Sequence, residues 1–479
     1  MKLKTLLKGY IYHGPEHGLD IEIRGINHDS RHIRPGEVYV CLEGLRVDGH
    51  RFAPDAVNAG AAAVVATRPM ELGIPVVVVE DTRHALSYLS ARYFAHPSRK
   101  LHVVGVTGTN GKTTTTHFLQ SVYREAGKSC AVIGTVGIKV GENYQPGGMT
   151  TPEAFDLQRT LFEMVKNNIS DVAMEVSSHA LAWHRADHVE FDMGVFTNLS
   201  HDHLDFHKDM EDYFLAKARL FQMLKGQGTQ AVINGDDPYG RRLLKMLNVP
   251  ALSFGFGQNA DVQGRILQRS ATHTDLAVTF GSTTFTVQVH LPGEFNAYNA
   301  LATVATALAE GLEPEVVIRG INGLQSVPGR FETVNFQQDY NIFIDFAHTP
   351  DGLEKVLQTL QAVPHRRIIT VFGCPGDRDK TKRPVMGRIA EQYSDVVIVS
   401  SDNPGSEDPG EIIVDILAGM SSTPVVLPDR QDAVRHALSV AGKGDIVLLA
   451  GKGHETYQLF GERHVPYSDR QAVETYFIS

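Results

Sequence analysis

The chain has 479 residues, a formal net charge of −10 and three cysteines, and at ~150 residues per domain its length predicts about three domains. An acidic balance without a long Lys/Arg run argues against a general nucleic-acid binder, and no apolar run approaches the ~20 residues of a membrane span. Cys41, Cys130 and Cys374 lie far apart and MKLKTLLKGY lacks a secretory core, so neither a disulfide framework nor export is expected; the cytoplasm is the natural compartment.

Residues 1–97 read as a small α/β domain. Short β-like runs at Val38–Leu42, Ala63–Ala66 and Val76–Val79 alternate with helical patterns at Phe52–Ala59 and His84–Tyr93. Asp29, Ser30, Arg31, Asp48 and His50 fall on turns, where they suit loop caps as well as a binding site. His96-Pro97-Ser98-Arg99 reads as a linker.

Residues 98–328 form the expected second domain. In LHVVGVTGTNGKTTTTHFLQ (101–120), a β-branched strand leads into a turn with Gly108 and Gly111, then Lys112, four threonines and a helix. Unpaired N–H groups and the positive helix end converge there, which makes an anion site. Gly108, Thr109, Asn110, Gly111, Lys112, Thr113 and Thr114 are the candidate nucleotide cradle. Lys112 would reach the terminal phosphates and the Thr113 hydroxyl a magnesium ion. The spelling is a variant, with Val106 where the usual pattern has its first glycine and Gly105 one residue early. An ordinary glycine-rich turn is the alternative, and the GKT with its flanking pattern disfavours it. Nucleoside triphosphate binding is expected.

DVAMEVSS (171–178) reads as a buried strand ending in Glu175. A buried carboxylate needs a metal, a cation or a hydrogen-bond network, and beside a phosphate loop it usually serves magnesium. TNLSHDHLDFH (197–207) puts His201, His203, Asp205 and His207 at alternate positions, which on an extended segment would share one face. Zinc is one reading; one histidine assisting magnesium is the simpler one. In YFLAKARLF (213–221), the residues alone favour Lys217 as a surface lysine with a buried stem. LPGEFNAYNALATVATALA (291–309) opens a long apolar helix, where Asn296 and Asn299 fit either caps or contacts to an adenine edge.

Residues 329–479 contain four strand-like runs, YNIFIDFAHTP, RRIITVFG, SDVVIVS and GDIVLLAG, separated by helical segments. That βαβ pattern predicts a mostly parallel sheet covered on both faces. Asp345 with His348, GCPGDRDKTKRP, SDNPGSEDP and GKGHE each follow the C-terminal end of a strand, where ligands of open α/β sheets collect. Lys382, Arg383 and Lys452 on these turns suit anionic groups.

Taken together, DSR, PGEVYV, DGHRF, GVTGTNGKTTT, TTPE, MEVSSHAL, FTNLSHDHLDFH, YFLAKARLF, LPGEFNAYNALA, VPGRFE, DFAHTPDGLE, GCPGDRDKTKRP, SDNPGSEDP and AGKGHE resemble the Mur ligase family along almost the whole chain. The resemblance implies a UDP-binding domain over 1–97, a central P-loop ATPase-type α/β domain over 98–328 and a Rossmann-like amino-acid-binding α/β domain over 329–479. It implies a peptidoglycan-precursor ligase that uses ATP to join one L-amino acid to the D-glutamate carboxylate of UDP-MurNAc-L-Ala-D-Glu through an acyl phosphate. It further implies two magnesium ions, with Thr113 and Glu175 on the first and Glu175, His203 and Lys217 on the second. Lys217 would be carbamylated by carbon dioxide, which reverses the surface reading. Catalysis would fall to Lys112, Glu175, His203 and Lys217. Asn299, Arg330 and Asp345 would contact the nucleotide, with His348 close by. Ser30 would lie near the uridine end, and Thr150, Thr151, Ser177 and Arg185 near the muramoyl-dipeptide. Arg383, Asn403, Gly451 and Glu455 would hold the free amino acid. A monomer with no nucleic-acid or membrane partner is expected.

Four departures from the family pattern stand out. Tyr is common where Phe346 stands, Gly where Pro375 stands, and Gln often where Trp183 stands. At the fourth, members using meso-diaminopimelate carry an arginine for the distal carboxylate, and this chain has Gly405. Losing such a charge-assisted pair forfeits roughly 1.5–3 kcal/mol of recognition. The sequence therefore leans toward L-lysine, L-ornithine or another amino acid without a second carboxylate. The alternatives are meso-diaminopimelate, or a paralogous amide ligase acting on another acid.

Overall fold

The computed structural model describes residues 1–479 except 15–17, 45–46, 142, 146, 225–227, 271 and 479. The chain divides into two compact α/β units that interleave in sequence. Met1–Thr107, Lys128–Gly194 and Ala216–Thr229 form the first; Gly108–Gly127, Val195–Leu215 and Gln230–Ser479 form the second.

In the first unit, strands Gly25–Asn27, Glu37–Val40, Ala63–Ala66 and Val76–Val78 lie side by side in that order, all parallel. Strand alternation sorts their side chains. Val38 and Val40 join one apolar cluster with Leu3, Leu86 and Leu89, while Tyr39 joins another with Ala53 and Ala56. Ala63–Ala66 is buried at every position, as a parallel strand covered on both faces must be. Asp81 starts helix Thr82–Tyr93 by accepting the N–H groups of Arg83 and His84 at 2.7 and 3.1 Å. The expected linker at 96–99 is instead a packed 3₁₀ turn, Pro97–Lys100. Ser98 Oγ accepts the Glu190 N–H at 3.1 Å and Arg99 pairs with Glu190 at 2.7 Å, which anchors it.

The same unit carries strands His102–Thr107, Asp171–Glu175 and Cys130–Gly134, parallel and adjacent in that order. Gly137–Val140 and Asn143–Gln145 continue them antiparallel. Glu175 lies in register with Val106, near the C-terminal end of both strands.

In the second unit, helix Lys112–Glu125 packs on helix Pro314–Gly323. Gly320 permits the close approach, since a methyl there would collide with the Val122 backbone, and Ser121 Oγ donates to Gly320 O at 2.7 Å. Strands Gln230–Asn234, Ala251–Gly255 and Val262–Arg269 run parallel, then Thr274–Phe280 and Thr283–Val289 turn back antiparallel.

A six-stranded sheet follows, in the order Glu332–Val334, Asn341–Asp345, Ile446–Ala450, Ile368–Phe372, Val396–Val399 and Val425–Val426. Every neighbouring pair is parallel except the first, as the βαβ pattern predicts. Ile342 and Ile344 enter one core cluster and Phe343 the other, so both faces are covered. Arg430 and Asp469 make a fully buried pair with two 2.8 Å bonds, tying helix Arg430–Val440 to helix Asp469–Ile478. Breaking such a pair from one side typically costs about 3–5 kcal/mol. Among the described residues, no helix is long and apolar enough to cross a membrane.

Candidate active site

The phosphate turn belongs to the second unit and is stapled from several sides. Thr197 Oγ1 donates to Asn110 O at 2.6 Å, Asn198 Oδ1 accepts the Asn110 N–H at 3.0 Å, and Thr109 N–H reaches Asn198 O at 2.9 Å. Thr109 Oγ1 also bonds the Tyr213 hydroxyl, and Asn110 Nδ2 donates to Asp351 Oδ2 at 2.8 Å. Lys112 Nζ folds back to donate to the carbonyls of Gly108 and Thr109, at 2.9 and 2.8 Å. Thr113 Oγ1 accepts from Arg330 Nη2 at 3.2 Å, which brings two expected nucleotide residues together, and Thr114 is buried beside them.

Gly111 caps the helix at φ +89°, and a Cβ there would collide with Asn299 Oδ1. Gly111→Ala is therefore expected to cost about 1–2 kcal/mol in backbone strain alone and to displace Asn299. Thermal unfolding and nucleotide titration check both effects. Asn296 and Asn299 are not caps. Gly293 holds the N-cap position, while both asparagines are buried inside helix Glu294–Ala309, where Asn299 Nδ2 donates to Asn296 Oδ1 at 3.1 Å.

Around the end of strand Asn341–Asp345, Asp345 accepts two backbone N–H groups, from Phe331 at 2.6 Å and Ala347 at 2.8 Å. Burial pushes its pKa up to about 6, against the pull of Arg330 and those two donors. The Arg330 guanidinium lies over the Phe346 ring, 4.7 Å from its centroid. His348 Nδ1 faces Phe346 O at 2.7 Å and Lys382 Nζ donates to His348 O at 3.0 Å. Burial and then Lys382 push the His348 pKa down, so its imidazole favours the neutral form.

The segment 201–207 is not extended. Residues 204–206 form a turn and His203 sits at φ +55°, so the alternate positions do not share one face. His201 is exposed, and buried His207 uses Nδ1 on Asp212 at 3.1 Å. The zinc reading therefore drops. His203 Nε2 lies 3.5 Å from Asp202 Oδ2. Burial raises the Asp202 pKa, but His203, His348 and Lys382 together hold it below the usual carboxylate value. Among the described residues, Glu43, Asp48 and His50 are close enough to share an ion. His50 is already engaged, by Asp48 at Nδ1 (2.6 Å) and the Thr67 N–H at Nε2 (2.9 Å).

At the expected amino-acid end, Arg383 is fully buried and shared by Glu407 and Asp415 at 2.8–3.0 Å. Asn403 and Lys452 both bond Glu455, at 2.9 and 2.5 Å, and Gly451 N–H reaches Asp345 O at 3.0 Å. The cations Lys382, Arg383 and Lys452 thus all have protein partners. Gly405 sits at φ +59° with Asp377 packed where its side chain would begin; Asp377 accepts from Ser406 N at 3.0 Å and Ser406 Oγ at 2.5 Å.

The first unit holds the remaining expected residues. Glu175, 1% exposed, accepts the Thr135 N–H at 2.8 Å and its hydroxyl at 3.0 Å, and Thr135 Oγ1 bonds Thr150 Oγ1 at 3.1 Å. Thr151 Oγ1 donates to Glu175 O and accepts Ser177 N–H, so Thr150, Thr151, Ser177 and Glu175 form one network. Gly134 lets the carboxylate lie flat, since a methyl there would collide with Oε1. Arg185 is buried on Glu153, with Nε to Oε2 at 3.2 Å. Ser30 opens the short turn Ser30–His32, capped by Asp29. Lys217 is 1% exposed, which overturns the surface-lysine reading: its helix turns that face inward between buried Phe214 and Phe221.

For magnesium, the Thr113 hydroxyl and Glu175 carboxylate are suitable hard oxygens and His203 a usable nitrogen. A buried ammonium has no lone pair, so Lys217 fits only as a carbamate, whose oxygens suit the ion. Sequence reasoning missed Arg83, Thr135, Glu153, Asp351 and the positioning role of Thr197 and Asn198. No local pattern marks them; each acts through a neighbour distant in sequence.

Comparison with known proteins agrees with these motifs. Residues 22–94 match the Mur ligase family catalytic domain, 106–307 the Mur ligase middle domain, and 329–453 the Mur ligase glutamate ligase domain. The UDP-N-acetylmuramoyl-L-alanyl-D-glutamate–2,6-diaminopimelate ligase of Geobacillus thermodenitrificans is 43% identical over 478 residues, 98% of each chain. A solved structure of a ligase with that same name is 31% identical, with a TM-score of 0.70 over 100% of this chain and 99% of the other. The ADP complex of MurF ligase from Thermotoga maritima, 21% identical, shares the fold with a TM-score of 0.66 over 95% of this chain and 97% of the other. The chain belongs to the Mur ligase family.

Proposed function

We propose that this chain joins 2,6-diaminopimelate to UDP-N-acetylmuramoyl-L-alanyl-D-glutamate at the expense of ATP, as the third residue of a peptidoglycan precursor. The observation that carries this reading is 43% identity over 98% of both chains to a ligase so named. Diaminopimelate, the alternative in the sequence reading, thereby takes precedence over a lysine-type amino acid. We place the protein in the cytoplasm as a monomer, with 1–97 on the uridine end, 98–328 on ATP and the acid, and 329–479 on the amino acid.

A carboxylate is a poor acyl donor, so its oxygen first takes the terminal phosphoryl group of ATP. The amine then attacks the acyl phosphate and phosphate leaves from the tetrahedral intermediate. Little covalent chemistry is asked of the protein; positioning and charge neutralisation do the work. Lys112 leaves its loop carbonyls to meet the β- and γ-phosphates, and the N-terminal end of helix Lys112–Glu125 adds its positive dipole end. Asn299, Arg330 and Asp345 orient the nucleotide. Thr113, Glu175, His203 and carbamylated Lys217 would hold magnesium, which when bound neutralises the crowded phosphate oxygens. Thr150, Thr151, Ser177 and Arg185 orient the acid; Asn403, Gly451 and Glu455 receive the amino acid, with Arg383 stiffening the turn that carries Glu407.

One observation favours a second reading. Gly405 supplies no cation for a distal carboxylate, and Asp377 lies beside it. The test is mass spectrometry of the product formed from an equimolar pool of meso-diaminopimelate, L-lysine and L-ornithine. A diaminopimelate product is expected. A preference of roughly 10–100-fold for lysine, the worth of one lost charged pair, would replace the amino acid and leave the ligase reading standing.

A further inference from the structure

The one tryptophan of the chain, Trp183, stands on the turn just after helix Ser178–Ala182. Two guanidinium groups lie over its ring, Arg83 at 4.4 Å and Arg185 at 5.1 Å from the centroid. Both share one buried carboxylate: Glu153 Oε2 is 3.2 Å from Arg185 Nε and 3.7 Å from Arg83 Nη1. Arg83 also donates to Glu43 O at 2.8 Å, and Arg185 Nη1 to Thr151 O at 3.4 Å. Thr151 is itself bonded to the backbone of Glu175 and Ser177. Burial pushes the Arg83 pKa down and Arg185 adds to the push, while Glu153, and after it Asp81 and Glu43, pull it back up. Two like charges held side by side repel. An aromatic face and one shared buried carboxylate, Glu153, reduce that repulsion, while the pull of exposed Glu43 and partly exposed Asp81 is screened by solvent.

The glutamyl end of the acid carries two carboxylates, and only one becomes an amide. We infer that Trp183 and Arg83 determine specificity for the acid substrate, holding Arg83 and Arg185 as a paired cation for the carboxylate that does not react. Gripping that carboxylate decides which one meets the phosphoryl group. The inference rests on the acid substrate proposed above; the Arg83 and Trp183 roles are additional to it.

Steady-state ligation tests it with two acids, UDP-MurNAc-L-Ala-D-Glu and the same compound amidated at the non-reacting carboxylate. Wild-type protein is expected to prefer the first. Trp183→Gln and Arg83→Gln should each raise the KM for the acid about tenfold, leave the KM for ATP in place and bring the acid-to-amide preference toward one. Trp183→Phe, which keeps an aromatic face, should retain most of the preference and guards against a packing defect. An undiminished preference in both glutamine variants overturns the inference while the substrate reading stands. Wild-type protein that ligates neither compound overturns the substrate reading, and the inference with it.

Discussion

Replacing Lys217 by alanine should lower turnover by on the order of 10³-fold, a loss typical of removing a group that stabilises transition-state charge. Lys217 is 1% exposed in an apolar stretch of helix Met210–Gln222. An ammonium buried there offers no lone pair to a metal ion. Its carbamate would instead be an anion offering two hard oxygens to magnesium. Phosphate release with both substrates present is the assay. Lys217→Met, which keeps most of the apolar stem, should lose activity equally while preserving the unfolding temperature. Partial rescue of Lys217→Ala by a short-chain carboxylic acid would identify the missing group as a carboxylate. Wild-type turnover in either variant would remove Lys217 from the mechanism.

Lys112→Met should have an effect of similar size, on the order of 10²–10³-fold in kcat/KM for ATP. The Lys112 ammonium now sits on two carbonyls of its own turn, 2.8 and 2.9 Å away. Transfer of these bonds to phosphate exchanges neutral acceptors for charged ones, which roughly doubles their strength. Methionine preserves the stem and the turn, so the fold should persist while ATP affinity falls. ATP titration by calorimetry, read beside turnover, checks this; unchanged affinity and rate would mean that the turn binds phosphate through its backbone alone.

The two effects differ in how far the chain itself announces them. The Lys112 turn is local: strand, glycines, lysine and helix start fall within twenty consecutive residues, so their geometry follows from neighbours along the chain. The same holds for the parallel C-terminal sheet, whose four apolar runs end in Asp345, 373–383, 402–408 and 451–455. Local patterning also marked Glu175, because a carboxylate in an apolar strand is conspicuous.

Other residues depend on what folds against them. Lys217 has the spacing of a surface lysine, and its burial comes from the packing of the whole helix. Asn296 and Asn299 fit caps as well as ligand contacts until Gly293, three residues before Asn296, takes the cap position. The alternating histidines fail to share a face because residues 204–206 turn.

What the sequence by itself determined was the family, the α/β class, the phosphate turn and the acidic strand end, since each is written in contiguous residues. Tertiary structure alone decided that Lys217 is buried, that Thr135 holds Glu175 and that Arg83, Glu153 and Trp183 meet. The physical reason is range: hydrogen-bond patterns and hydrophobic periodicity act between near neighbours, whereas the shielding that makes a buried charge useful is assembled from segments far apart along the chain.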